Sequence, residues 1–312
     1  MTWVAWRQGR SENVLAVLLL AALATLLVLT GAHMHSVFSA NGLAACTGAS
    51  ARPASCALLT SEFESQFDTL NQLGPWLALT PGLIGVLLAT PLVLELDQGT
   101  YRLAWTQSIT PRRWLTSRLT ALLLGAVLCG GLMIALATWE RSSLDALLGR
   151  INPNSFDLEG VVPIAYTLFA ATTALAIGTI TRRTGLAVSA GFGAYIVIRL
   201  IVRSARQQLI PPVRATLPIP QGPRGVFHAW EISHGFTNPH GHPVPSTVVT
   251  SCFNTSGTLS VHCLAQHHVF QTFVYEPASR FWALQAAESG IFLALTATAL
   301  AVTVWWIRQR IA

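Results

Sequence analysis

LELDQGTYRLAWTQSITPRRWL, residues 94–115, is the stretch around which the chain is organised. An apolar run of membrane-spanning length, Trp76–Leu94, leads into it, and another, Leu119–Thr138, follows it. Between them stand two carboxylates, Glu95 and Asp97, then Gly99, an amphipathic segment and the basic pair Arg112 and Arg113. A polar hairpin between two spans can dock a soluble partner at the membrane face. It can equally be a solvated turn whose arginines anchor beside the lipid headgroups, and the residues alone leave both readings open.

Composition settles the class. Of 312 residues, 52% are hydrophobic and only 10% charged, where a soluble domain carries about 25%. The chain reads as an all-α integral membrane protein. Its net charge of +6 would suit a nucleic-acid partner only if the basic residues formed a patch. They stand instead beside apolar runs, so no nucleic acid is expected. All 19 basic residues are arginine; without a lysine the chain carries no phosphate-binding loop of the Walker A type.

Six runs approach the roughly 20 apolar residues that cross a bilayer: 14–31, 76–94, 119–138, 161–180, 186–202 and 291–307. Ahead of them, residues 1–13, with Trp3, Val4 and Trp6 among Arg7, Gln8 and Arg10, read as an interfacial amphipathic helix. The arginines of the short loops (Arg102, Arg112, Arg113, Arg118, Arg182, Arg183, Arg308 and Arg310) fall on the side of Arg7 and Arg10. The positive-inside rule makes that side cytoplasmic. The expectation is one permease-like domain over 1–312, with both termini inside the plasma membrane. It divides into a first outer loop at 32–75, an inner hairpin at 95–114 and a large, loop-rich outer region at 203–287.

The cysteines agree with this sidedness. Cys46 and Cys56 lie in the first outer loop, Cys252 and Cys263 in the last, and Cys129 alone inside the third span. Disulfides persist in oxidising compartments, and proximity in sequence favours Cys46–Cys56 and Cys252–Cys263 among the three pairings four cysteines allow. In the first outer loop, Leu59, Phe63, Phe67 and Leu70 recur at helical spacing after Thr60 or Ser61 as a cap, predicting a short amphipathic helix. No metal site is expected: the C-x-x-C spacing is absent, and the H-x-H pairs His33/His35 and His240/His242 lack a third ligand at a defined spacing.

Two features inside the spans call for an account. Pro81, Gly82, Gly85 and Pro91 predict a bent second span whose hairpin end can move. Arg199 and Glu288 are charges that face a bundle interior or snorkel to an interface. A pair between them across the fifth and sixth spans is one reading and separate snorkelling the other. Gly178, Gly191 and Gly193 permit close helix contacts, including those of a dimer seam.

The pattern Glu95-x-Asp97-x-Gly99-Thr100, followed by Leu103–Ile109 and Thr110-Pro111-Arg112-Arg113, resembles the cytoplasmic segment after the second helix of type-2 ABC exporter permeases. More narrowly, the chain is similar to actinobacterial permeases of that type, which open on W-x-x-W-R, here Trp3, Trp6 and Arg7, and carry G-T-x-R-L-A-W-T-Q-S, here Gly99–Ser108. The resemblance implies a permease that moves a hydrophobic or amphipathic substrate outward. Its partners would be two cytoplasmic ATPase subunits, which bind the ATP and Mg, a second permease, identical or homologous, and membrane lipid. It implies no cofactor in this chain. By the same resemblance Glu95 and Asp97 brace the hairpin or hold an acidic contact. Gly99, Thr100, Tyr101, Arg102, Trp105 and Gln107 belong to the segment that meets the ATPase, and Arg112 and Arg113 secure its exit. Trp105 departs from a segment that is more aliphatic in the family.

Neither G-x-S-x-G nor H-E-x-x-H occurs, so the sequence offers no hydrolase or zincin site. An ATPase-independent membrane enzyme or facilitator, and a structural subunit, remain the alternatives.

Overall fold

The computed structural model describes residues 10–47, 54–100, 110–153, 155–218, 228–254 and 259–310. Six of its helices are long and apolar enough to cross a membrane. They are α1 (Arg10–Ala40), α3 (Thr80–Asp97), α4 (Pro111–Leu148), α5 (Val162–Thr181), α6 (Thr184–Leu209) and α9 (Phe281–Arg310). The protein is an all-α membrane protein, as its composition indicates. Residues 1–9, most of the expected interfacial helix, lie outside the described residues.

The centre of the bundle is α5, and its sequence, VPIAYTLFAATTALAIGTIT, explains why. Small alanine, glycine and threonine side chains let other helices approach it closely, and its most extensive contacts are with α3, α9 and α6. Its buried threonine hydroxyls donate to carbonyls one turn back, Thr167 to Pro163 at 2.8 Å, Thr172 to Leu168 at 2.9 Å and Thr179 to Leu175 at 2.7 Å, which satisfies them within the apolar interior. Gly85 in α3 marks the tightest approach. A Cβ there would lie 2.4 Å from the Thr167 carbonyl oxygen and 2.9 Å from the Ala171 nitrogen, both backbone atoms. Gly85→Leu therefore has to push α3 off α5, at a cost of at least about 1–3 kcal/mol. It is expected to lower the thermal midpoint in detergent, while the same change at open Gly131 is tolerated.

Gly178 and Gly191 are spent within the chain, against Val93 of α3 and Ala174 of α5 respectively. Neither is free to form a dimer seam.

The second span begins later than expected. Trp76 and Leu77 close the preceding helix, α2 (Ala54–Leu77), the chain breaks at Ala78 and Leu79, and α3 starts at Thr80. Pro81 thus occupies the first turn, where a missing N–H costs nothing, and does not bend the helix. Pro91 alone lies in the interior of α3.

At the end of the bundle away from the hairpin, α2 is the expected amphipathic helix, longer than its stripe indicated. Phe63 and Phe67 are buried and Leu59 and Leu70 half-buried against Met34, Leu43, Leu144 and Leu147. The Cys46–Cys56 and Cys252–Cys263 disulfides both form. The large outer region is more regular than its proline and glycine content led one to expect. β1 (Val213–Pro218), β2 (Trp230–Thr237) and β3 (Phe270–Glu276) make an antiparallel sheet in the order β1-β3-β2. Short helices α7 (Ser246–Ser251) and α8 (Val261–Gln266) stand between β2 and β3, held by the second disulfide.

Candidate functional site

The hairpin end is built by α3, α4 and the tight turn between α5 and α6. Gly99 ends α3 with φ 71°, a left-handed conformation suited to glycine. Asp97 then reaches across to the next pair of spans. Its Oδ2 accepts hydrogen bonds from the Thr184 backbone N–H at 3.0 Å and the Thr184 hydroxyl at 2.8 Å, capping the start of α6. Glu95 pairs with Arg118 of α4 at 2.6 Å. Thr110 caps α4 in extended conformation, its hydroxyl accepting from the Arg113 N–H at 3.4 Å, with Pro111 at the helix start.

Between them Glu95 and Asp97 tie α3 to both neighbouring hairpin elements. Both carboxylates brace the fold. Arg112 and Arg113 are exposed beside them, as are Arg182, Arg183 and Arg308. A rigid frame thus carries a basic exposed rim. Tyr101, Arg102, Trp105 and Gln107, the segment expected to meet a partner, lie outside the described residues.

The other concentration of polar groups lies toward the opposite end and is buried. Arg199 meets Asp157 at 2.5 Å. Arg206 also pairs with Asp157, and with Glu288 at 2.9 Å. The Tyr166 hydroxyl donates to Glu288, and the Arg206 guanidinium lies 4.2 Å from the centre of the Phe156 ring. The direct Arg199–Glu288 pair is therefore replaced by a four-membered cluster in which Asp157 and Arg206 stand between the two. A carboxylate from the α4–α5 loop matches the second guanidinium, and all four side chains are at most 3% exposed.

Next to this cluster Gln285 of α9, fully buried, accepts from the backbone N–H groups of Val161 and Val162, each at 3.0 Å, and donates to the Phe156 carbonyl at 2.9 Å. It satisfies the unpaired donors at the start of α5. Sequence reading missed Asp157, Tyr166, Arg206 and Gln285. The signal that marks this face is the stripe Tyr195, Arg199, Val202, Arg206, which repeats at helical spacing along one side of α6 and is buried throughout.

Asp157, in the loop between α4 and α5, shows what the cluster does electrostatically. Burial alone raises a carboxyl's pKa, but Arg206 and Arg199 outweigh it and hold Asp157 below the ordinary carboxylate value. A folded-state pKa below the unfolded one contributes stability above the unfolded value, near 3.9, and loses it as pH falls through the folded value. Glu159, in the same loop, shifts upward because burial dominates over Arg141 and Arg150. Asp157→Asn is accordingly expected to lower the melting temperature at pH 7. Between about pH 5 and 3 it should flatten the loss of stability that the parent protein shows; a melting-temperature series in detergent reads both.

The histidines do not gather into a ligand set among the described residues. Cys252, Cys263 and His267 come within 4.8 Å of one another, but the two sulfurs are already joined, which leaves no thiolate to bind a metal.

A family model, ABC-2 membrane transporter related, matches residues 17–206. Comparison with the curated proteins and with the solved structures finds no match. The matched stretch takes in most of α1, all of α2–α5 with the hairpin frame, and most of α6 through Arg206.

Proposed function

The chain belongs to the ABC-2 membrane transporter related family, and from that membership we propose that it is the permease subunit of an ATP-driven exporter. It is a multi-pass membrane protein with no phosphate-binding lysine of its own. The energy source is then a separate ATPase, two copies per complex, which binds the ATP and Mg.

One observation carries the assignment of the docking face. At the hairpin end Glu95–Arg118 and Asp97–Thr184 lock α3, α4 and α6 to one another beneath an exposed rim of Arg112 and Arg113. Force applied to residues 98–110 passes into three spans at once, and Pro91, one turn before Glu95, weakens α3 where displacement would concentrate. The hairpin end is cytoplasmic and both termini lie on that side. Its exposed arginines favour this under the positive-inside rule, as do the two disulfides at the other end. A second permease, identical or homologous, completes the pore, and the cargo is hydrophobic or amphipathic.

Gentle isolation of the tagged chain in nanodiscs tests the proposal. It is expected to recover a Walker-motif ATPase in one-to-one ratio and ATP hydrolysis by the particle. Recovery of the chain alone, with no nucleotide hydrolysis, overturns it in favour of a facilitator or a structural subunit.

A further inference from the structure

Beside the charge cluster of Asp157, the end of α4 and the α4–α5 loop bring together two carboxyls that the cluster does not use. Asp145 stands half-buried in the last turn of α4, and Glu159, with no exposed surface, in the loop that follows. Their side chains are hydrogen-bonded to each other. Ionised carboxyls only accept hydrogen bonds, so this contact needs one proton between the two.

Three observations place that proton on Asp145. Glu159 is the member held as an anion: its Oε2 accepts from Arg150 at 3.1 Å, and Arg141 stands 3.6 Å from its Oε1. Asp145 makes no ion pair of its own among the described residues. Buried Oε1 of Glu159 finds no N–H or hydroxyl donor there either; a buried acceptor without a donor is costly, and a carboxylic O–H is what the pair still lacks. Asp145 also sits at a helix C-terminus, where the negative end of the helix dipole opposes a further negative charge. The groups facing the pair are few. Arg141 and Glu140 come from α4 and Arg150 from the loop, and α2 offers only uncharged Asn71, which accepts from Arg141. His35 of α1 is engaged with the Trp139 carbonyl and the Ser143 hydroxyl, and His228 packs on Gly149.

We propose that Asp145 and Glu159 form a proton-operated latch on the disulfide-bearing end of the bundle. With one proton shared, the pair ties the end of α4 to the loop two residues from Asp157, the carboxylate that holds Arg199 and Arg206. When Asp145 gives the proton to water, two adjacent carboxylates repel, and the loop loosens from α4. The folded chain then binds a proton that the unfolded chain has released above the ordinary aspartate value near 3.9. Stability from this pair therefore falls as pH rises until the folded chain releases the proton as well. The latch belongs to this chain alone and does not rest on an ATPase partner.

Infrared spectroscopy of the full chain in nanodiscs, isotope-labelled at the aspartate carboxyl carbon, tests the proton directly. At neutral pH a label-shifted carbonyl stretch of a protonated acid is expected, lost as the pH is raised and missing from Asp145→Asn. The other aspartates do not supply it: Asp68 is exposed, Asp97 accepts twice from Thr184, and Asp157 lies between two guanidiniums. Amide hydrogen exchange of the peptide covering residues 149–161 tests the latch. Once the band is lost, it should exchange about tenfold faster in the parent than in Asp145→Asn at the same pH, the equivalent of one pKa unit; below that pH the two should agree. The proposal is overturned if the labelled parent shows no acid band at neutral pH, a result that stands even if Asp145→Asn misfolds. It also falls if the band persists in a folded Asp145→Asn, or if exchange in parent and variant stays equal after the band is gone. None of these outcomes bears on whether an ATPase drives the permease.

Discussion

Arg206→Met is expected to destabilise the protein by about 3–5 kcal/mol, the cost of stranding buried charge. Arg206 is the only guanidinium that touches both Asp157 and Glu288 among the described residues, so its loss leaves Glu288 without a cation and Asp157 with Arg199 alone. Shape is not the cause, because methionine fills much of the same space; the penalty is electrostatic. Arg206→Met combined with Glu288→Gln should therefore recover part of the loss, a non-additivity characteristic of groups in direct contact. Arg206→Lys should fall between, since an ammonium lacks the fork that serves two carboxylates at once. Thermal unfolding of the four proteins in one detergent reads the series. Equal melting temperatures for Arg206→Met and the parent would remove the cluster from any account of stability.

The second large effect is on coupling. Glu95→Ala releases Arg118, and Arg112→Ala removes part of the exposed rim. In the assembled complex each is expected to reduce transport at least roughly tenfold, a loss of about 1.4 kcal/mol in the coupled step, while ATP hydrolysis continues and the melting temperature moves little. The expectation of a small stability change rests on location. Glu95–Arg118 is partly solvent-exposed, 16% and 34%, and pairs of that kind contribute about 0–1 kcal/mol. Arg112 is exposed. Transport assayed in proteoliposomes alongside ATPase activity separates uncoupling from unfolding; normal coupling in both variants would detach the hairpin from the mechanism.

Much of this architecture is legible in the sequence because lipid imposes strong rules. Length and apolarity mark the six spans, and the cysteines at one end pair with their nearest neighbours in the chain. The amphipathic stripe of Leu59, Phe63, Phe67 and Leu70 is recognisable because helical periodicity is local. The misses are non-local. β1 and β3 pair across the whole outer region, Val213 opposite Tyr275, and nothing in the short segment VRATLP announces its partner. Pro81 looked like a kink because the apolar run begins at Trp76, whereas the chain turns at Ala78–Leu79, where the Tyr195 hydroxyl donates to the Ala78 carbonyl at 2.7 Å. Arg199 was visible as a buried charge, but its partner sits in a loop that hydropathy reads as solvent-exposed. Burial of Asp157 and Glu159 follows from the packing of that loop over α5, α6 and α9, which no local pattern encodes.

The central claim is that residues around the hairpin touch the motor. Arg113→Cys, in a protein whose free Cys129 is replaced by serine so that the other four cysteines stay in their disulfides, provides one reactive thiol on the exposed rim. A short thiol–amine cross-linker applied to the intact complex is predicted to join this position to the ATPase and to lose that product when the thiol is placed at exposed Ser251, at the far end of the molecule. Cross-linking to the ATPase from Ser251→Cys and not from Arg113→Cys would contradict the account.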